Sequence, residues 1–188
     1  MKLTIAQRLG LLIASALVGI AALVAVFLYS ERLLLMQERQ LGLQQAVETA
    51  HGVIAHYHDL VVKGTMTESE AKQAAIATIK PLRYSGTEYF FIQDYQVKMV
   101  MHPINAKLDG QDVSGLKDAS GKLMTAEMDK MAKANGSGFV FYMWPKPGSE
   151  TPVDKVSYVK AFEPWGWIIA SGVYVDNVDA VIATRFIK

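Results

Sequence analysis

The chain has 188 residues, 51% hydrophobic and 20% charged, with 19 Lys+Arg against 18 Asp+Glu and no cysteine. At roughly 100 to 200 residues per domain this is one domain, and a net charge of +1 argues against a nucleic-acid partner, which needs a basic excess gathered on one face. The missing cysteines exclude disulfides, Cys-zinc sites and thiol catalysis together, while leaving the compartment open.

Leu9 to Tyr29 contains no charged residue and is bracketed by Lys2 and Arg8 before it and Glu31 and Arg32 after it. About 20 apolar residues match a hydrocarbon core of roughly 30 Å, so the stretch reads as a transmembrane helix. A cleaved signal peptide is the competing reading. Its apolar region is shorter, about 7 to 15 residues, and ends in small residues, whereas this run exits through Phe27, Leu28 and Tyr29. Lys2 and Arg8 with no acid place residues 1–8 in the cytoplasm. Residues 9–29 then span the membrane, and the rest, carrying 17 positive and 18 negative charges, lies beyond it as a near-neutral domain.

Past the membrane, Met36, Gln40, Leu43, Val47, Ala50, Ile54, Tyr57 and Val61 alternate four and three apart, a heptad stripe that predicts a long helix. Two uses are open for it: the seam of a dimer, or the face that packs on the rest of the domain. Lys63 and Gly64 end the helix. Thr67 with Glu70 has the capping-box pattern that opens the next one, which carries Ala71, Ala74, Ala75 and Ile79 and stops at Pro81.

From Arg83 onward the period is that of strands. Tyr89 to Gln93 and Val97 to Met101 form a hairpin around Asp94, Tyr95 and Gln96. A polar loop runs from Asn105 to Gly121, then a helix from about Leu123 to Ala134, closed by Asn135 and Gly136. Gly138 to Trp144, Lys155 to Phe162 and Trp167 to Tyr174 complete five strands, and helices followed by an antiparallel sheet make an α+β domain.

Catalytic chemistry finds little support. His51, His56 and His58 lack the i, i+4 spacing of a helical metal site, and no phosphate loop, nucleophile elbow or paired-carboxylate setting is present. His102 with Asp94 lacks an accompanying nucleophile or metal. Binding is better supported. Val156, Tyr158, Lys160 and Phe162 share one face by alternation, and Val140, Tyr142 and Trp144 share another. A buried Lys160 requires a carboxylate, a reach to solvent or a bound anion; equally, Lys160 is solvated and Lys155 lies inside. Arg83 offers a fork that suits a carboxylate, or a surface ion pair.

Several segments in order, RYSGTEYFFIQD at 83 to 94, MHP at 101 to 103, GFVFYMWPKPG at 138 to 148 and KVSYVKAFEPWGWIIASGVYVDNVD at 155 to 179, resemble the single-Cache (sCache_2-type) sensor domains of bacterial methyl-accepting chemotaxis receptors. The resemblance covers about residues 30–180. It implies a PAS-like antiparallel sheet of five to six strands with a long N-terminal helix packed on it, preceded by one transmembrane helix. It further implies a periplasmic sensor that binds a small carboxylate of the acetate, propionate, lactate or pyruvate class, needs no cofactor and forms a homodimer; with the one span read at residues 9–29, this chain is expected in the bacterial inner membrane. The site residues it suggests are Arg83, Tyr89, Phe91, Met101, His102, Tyr142, Trp144, Tyr158 and Lys160. Lys160 and tyrosine hydroxyls would hold the carboxylate, and Trp144, Met101 and Phe91 would bound its tail.

The turn at Asp94, Tyr95, Gln96 departs from the family, where Gly commonly follows the Asp. The resemblance also implies a second membrane helix and a signalling half, and residues 181–188 read as the start of a helix returning toward the membrane. The chain is thus expected to be either the sensor portion of a longer receptor or a stand-alone anchored module that presents a solute or meets a partner.

Overall fold

A computed structural model describes residues 4–176. The chain divides into two compact units, Arg39–Asp176 and Met1–Glu38 with Asn177–Lys188. The helix expected to return toward the membrane, residues 181–188, lies outside the described residues.

Helix α1 (Ile5–Val62) begins in the first unit. All residues from Thr4 to Ser30 are exposed, and α1 contains the one described helix segment long and apolar enough to cross a membrane, with a mean hydropathy of 2.8.

The second unit is built around a six-stranded antiparallel sheet: β1 (Arg83–Tyr84), β2 (Glu88–Asp94), β3 (Met99–Met101), β4 (Ser137–Pro145), β5 (Pro152–Phe162) and β6 (Trp167–Tyr174). Its order is β1-β2-β6-β5-β4, with β3 also paired to β2. The sequence pattern anticipates five of the strands. It misses β1, which is only two residues long, too short for any period to register.

One sheet face is covered by the heptad stripe. Leu43, Val47, Ala50 and Ile54 of α1 are buried in a cluster with Phe90, Ile92, Val156, Tyr158, Phe162 and Ile169 of the strands. These four stripe positions are therefore used inside the domain, and a seam between copies cannot be built on them. Helix α2 (Glu68–Ile79) adds Ala71, Ala75 and Ile79 to the same cluster, and its start is fixed by the capping box between Thr67 and Glu70.

The other face is covered by α3 (Met124–Asn135) and the segment before it. Met124, Met128 and Ala132 pack with Tyr89, Phe91, Val140, Tyr142, Val159, Ile168 and Ala170. With both faces covered, the strands bury side chains of both parities. This is why β2 is buried at five consecutive positions and why alternation of polarity is weak in the sequence.

Two local features aim this second face. Asp94 Oδ1 accepts from the backbone N–H groups of Gln96 and Lys98 (2.9 Å each), and Val97 takes φ +57° to close the turn. Val97 thus belongs to the turn and not to the strand, so β3 begins two residues later than the pattern suggests. Between Ile92 and Gln93 the β2–β3 register shifts, with Ile92 opposite Met101 and Gln93 opposite Met99. Such a bulge changes which face a side chain meets.

The free edge of β4 is covered by the loop ahead of α3. Asp118 accepts from Met143 N (2.8 Å), and Lys122 Nζ donates to Phe141 O. Burial opposes the Asp118 charge, but hydrogen bonds from Met143, Ser120 and Lys122 outweigh it and hold the carboxyl down at about 2. The loop is pinned, and a strand edge that invites pairing is blunted.

Candidate ligand pocket

Between the α3-covered sheet face and the segment that precedes α3 lies a cavity of about 20 Å³, lined by Tyr89 and Phe91 of β2, Met99 of β3, His102, Leu108, Leu116, Met124, Thr125 and Met128, and Tyr142 and Trp144 of β4. A water needs roughly 10 to 15 Å³ by this measure, so the space suits a guest of very few heavy atoms. Its lining is divided. Tyr89, His102, Tyr142 and Trp144 bring polar groups, while Phe91, Met99, Leu108, Leu116, Met124 and Met128 are apolar.

Lys155 is not itself in the lining but stands behind Tyr89, which is. On β5 it lies opposite Tyr142 of β4 and Tyr174 of β6, and it is 1% exposed. Its Nζ donates to Tyr89 Oη (3.1 Å) and Tyr174 Oη (3.4 Å). It also sits 4.4 Å and 4.7 Å from the centroids of the same two rings, so phenol oxygens and ring faces replace water around the ammonium. No described carboxylate is in ion-pair contact with it. Burial pushes the Lys155 ammonium down from the ordinary lysine range, opposed by the negative charge of Glu88.

A glycine makes room for this side chain. A Cβ on Gly172 would lie 2.5 Å from Lys155 Cε and closer still to Ser157 Oγ. Only a residue without a side chain lets the lysine cross β6.

His102 is 5% exposed and packed against Tyr89 and Phe91, with ring centroids 5.2 and 5.8 Å away. Its Nδ1 accepts from Asn105 N (2.9 Å) and its own N–H is held by Asp109 Oδ1 (2.6 Å). Burial, with help from the Lys155 charge and against Asp109, lowers its pKa to about 4. The ring is neutral at pH 7, and with Nδ1 an acceptor the proton sits on Nε2, which makes that atom a donor. Tyr142 Oη is bonded to Ser157 Oγ (2.8 Å), and burial raises the phenols of Tyr142 and Tyr174 as well as that of Tyr89, which reaches about 12. These groups hold their protons throughout the neutral range.

Of the residues singled out from the sequence, the structure brings Tyr89, Phe91, His102, Tyr142 and Trp144 to this one cavity. It does not bring the other four. Lys160 and Tyr158 lie on the opposite sheet face: Lys160 reaches Glu48 of α1 at 3.7 Å with its side chain 32% exposed, and Tyr158 packs in the α1 cluster and donates to Ser137 Oγ (2.9 Å). The parity that places Tyr142 inward places Lys155 inward with it. Met101 joins the α1 cluster, because the bulge exchanges it for Met99. Arg83 is exposed, and its Nη1 donates to Lys80 O and Leu82 O (2.9 and 2.7 Å), which closes the α2–β1 connection. Leu108, Leu116, Met124, Thr125 and Met128 escape sequence reasoning altogether, since loop and helix residues over a sheet carry no period that points at a cavity.

This arrangement of long helix, sheet and sensor-like pocket has known counterparts. The family model described as Single Cache domain 2 matches residues 35–187. The chain belongs to that family. It is 42% identical over 187 residues to the methyl-accepting chemotaxis protein McpP of Pseudomonas putida, covering 98% of this chain and 34% of that protein. It is 35% identical over 118 residues to the sensor histidine kinase MctS of Rhizobium johnstonii, covering 63% of this chain and 25% of that one. The chain therefore spans about a third or less of these relatives. Among solved structures, a periplasmic sensor domain of a chemotaxis protein superposes with a TM-score of 0.74 at 48% identity, covering 75% of this chain and 98% of that one. Another, from work on carboxylic acid recognition by a Cache chemosensory domain, gives 0.73 at 47% identity, covering 76% and 97%. The single-Cache chain is thus a chemosensory ligand-binding domain of the kind carried by chemotaxis receptors.

Proposed function

We propose that this Cache domain senses a small monocarboxylate of the acetate, propionate, lactate or pyruvate class and passes its binding state to chemotaxis-type signalling. The observation that carries the reading is the buried Lys155 ammonium held on the hydroxyl of Tyr89, a residue that lines the cavity. A carboxylate beside Lys155 would find one fixed cation, the Tyr89 hydroxyl and the Nε2–H of His102, the set of charge-assisted donors such an anion requires. Phe91, Met99, Met124, Met128, Leu108 and Leu116 would bound a short aliphatic tail, and Trp144 would close the side. A second carboxylate would meet only this apolar lining, an expensive place for a charge. That a 47% identical domain is described in terms of carboxylic acid recognition supports the same ligand class.

In this reading residues 9–29 form a span in the bacterial inner membrane, residues 1–8 face the cytoplasm, and residues 30–180 form the periplasmic sensor. Binding would bias two arrangements of the helices that enter the membrane, by no more than the ligand's differential affinity for them. Titration calorimetry of the full chain in detergent against acetate, propionate, lactate, pyruvate and succinate tests it. The monocarboxylates are expected to bind and succinate not to. Absence of heat from every monocarboxylate sinks the proposal.

A further inference from the structure

We propose that Tyr174, the last residue of β6, couples the pocket to helix α1: its hydroxyl is held by Lys155 behind the pocket, its carbonyl is held by Arg39 of α1, and a seated carboxylate loosens this clasp. The inference deepens the sensor reading above and rests on it, naming the residues through which an occupied pocket reaches the helix.

Three hydrogen bonds meet at this residue. Tyr174 Oη accepts from Lys155 Nζ (3.4 Å) and donates to Pro145 O at the end of β4 (2.8 Å), while its backbone O accepts from Arg39 Nη1 (2.6 Å). Among the described residues, Tyr174 alone is bonded to both Lys155 and Arg39. Its ring is buried, with the ammonium groups of Lys155 and Lys146 at 4.7 and 5.7 Å from the centroid. Lys146 in turn reaches Asp176, just past β6, at 2.8 Å. Arg39 is the residue at which α1 enters the domain unit. The helix, the end of β4 and the end of β6 are therefore tied together through one tyrosine.

The lysine is the part that can shift. An ammonium carries three donors on a flexible stem, and Lys155 places two of them on hydroxyls at 3.1 and 3.4 Å, longer than the roughly 2.7 to 2.9 Å of a firm charge-assisted bond. No described carboxylate fixes it to one side. Two arrangements are thus available to it: shared between Tyr89 and Tyr174, or drawn onto Tyr89 alone. Tyr89 lines the cavity and keeps its proton, so a carboxylate seated there accepts from its hydroxyl. A hydroxyl that donates to an anion is a better acceptor in turn. Lys155 is then pulled toward Tyr89 and gives up Tyr174. Without that donor the Tyr174 hydroxyl holds Pro145 O less firmly, by the same cooperativity, and the strand end that carries the Arg39 contact is released.

Linkage makes the clasp testable from both ends: if the ligand opens it, a chain that cannot close it binds the ligand more tightly. Hydrogen exchange of the full chain in detergent, with and without saturating propionate, reads the α1 amides around Arg39, and calorimetry reads affinity. In the native chain propionate is expected to speed that exchange about fivefold or more, the lower end of usual coupling between sites. Arg39→Met is expected to bind propionate about fivefold more tightly and to lose the ligand-induced difference. Arg39→Lys, which can still donate to the carbonyl, should keep it, and Tyr174→Phe should lose it. A merely structural arginine would change the exchange equally with and without ligand. A native chain that binds propionate with exchange around Arg39 unchanged or slowed overturns the inference and leaves the carboxylate reading standing. So does an Arg39→Met affinity that is unchanged or weaker, or a difference that persists in Arg39→Met or Tyr174→Phe. Should Arg39→Met fail to fold, Tyr174→Phe decides. No binding of propionate, acetate, lactate or pyruvate to the native chain overturns both readings.

Discussion

The two faces of the sheet use the same residue types to opposite ends. On β5, Tyr158 and Lys160 point toward α1, and Lys155 and Ser157 point toward the cavity. Lys160 lies near Glu48 with a third of its side chain in water, whereas Lys155 has neither water nor a carboxylate in contact. The α1 face is a core whose polar groups are paired or solvated at its margin: His51 Nε2 with Ala161 O at 3.1 Å, Tyr57 Oη with Thr78 Oγ1 at 2.8 Å. The cavity face instead buries a Lys155 ammonium held only by tyrosine hydroxyls and leaves the Oε1 of Gln93 buried and unpartnered. A lysine's meaning on a sheet covered on both sides is set by parity and by what lies opposite, not by its being in a strand.

The sharpest way to break this comparison is to exchange each lysine for methionine. Lys155→Met is expected to lower monocarboxylate affinity by about 100-fold or more, the loss that follows removal of one partner of a buried charged pair, about 2 to 5 kcal/mol. It is also expected to raise the melting temperature of the empty domain, because a buried ammonium without a carboxylate in contact is replaced by an apolar side chain of similar length. Lys160→Met should leave affinity unchanged in the same calorimetric titration. If the two variants behave alike, the division between the faces is wrong.

The next effect belongs to His102. Its pKa in the folded domain, about 4, lies below its ordinary value of 6.5, so between those values the unfolded chain binds the additional proton. Stability contributed by the neutral, buried ring is fully present above pH 6.5 and is lost as pH falls toward 4, by up to about 3 kcal/mol. Denaturant melts of the native chain and of His102→Gln across that range should converge as the pH drops. Parallel curves would mean that the ring is not buried neutral.

Much of this was legible in the residues. The α1 stripe, the Thr67–Glu70 cap, the turn at Asp94 and the strands β4 to β6 follow from period and from turn chemistry, and the ordered motifs around Tyr89, His102, Tyr142 and Trp144 led to the cavity. What was not legible has two physical causes. Both faces of β5 are covered by helices over most of its length, so Lys155 and Lys160 are equivalent by alternation until the pairing of Lys155 with Tyr142 and Tyr174 separates them. The bulge opposite Ile92 and Gln93 exchanges Met101 for Met99, and a one-residue irregularity leaves no trace in a hydrophobic pattern. One signal was available and went unused: Gly172, flanked by Ser171 and Val173 inside a strand, marks a close approach by a neighbouring group.

That glycine gives the smallest of these effects and the most local one. Gly172→Ala introduces a Cβ against Lys155 Cε and Ser157 Oγ, both on the strand alongside. Ser157 is tied to Tyr142, so neither neighbour can yield without moving a group that lines the pocket or stands at its edge. The expected cost in stability is about 1 to 3 kcal/mol, typical of overpacking. Affinity should fall by about tenfold as Nζ is displaced from Tyr89 and Tyr174. A cut-back partner separates the two effects. Gly172→Ala combined with Lys155→Met should recover part of the stability, since a flexible thioether can bend away where the hydrogen-bonded ammonium is held in place, and binding should stay lost. If the single substitution costs stability but leaves affinity intact, Lys155 reaches its place by a route that does not depend on the missing side chain, and the link between the strand's glycine and the pocket's charge is broken.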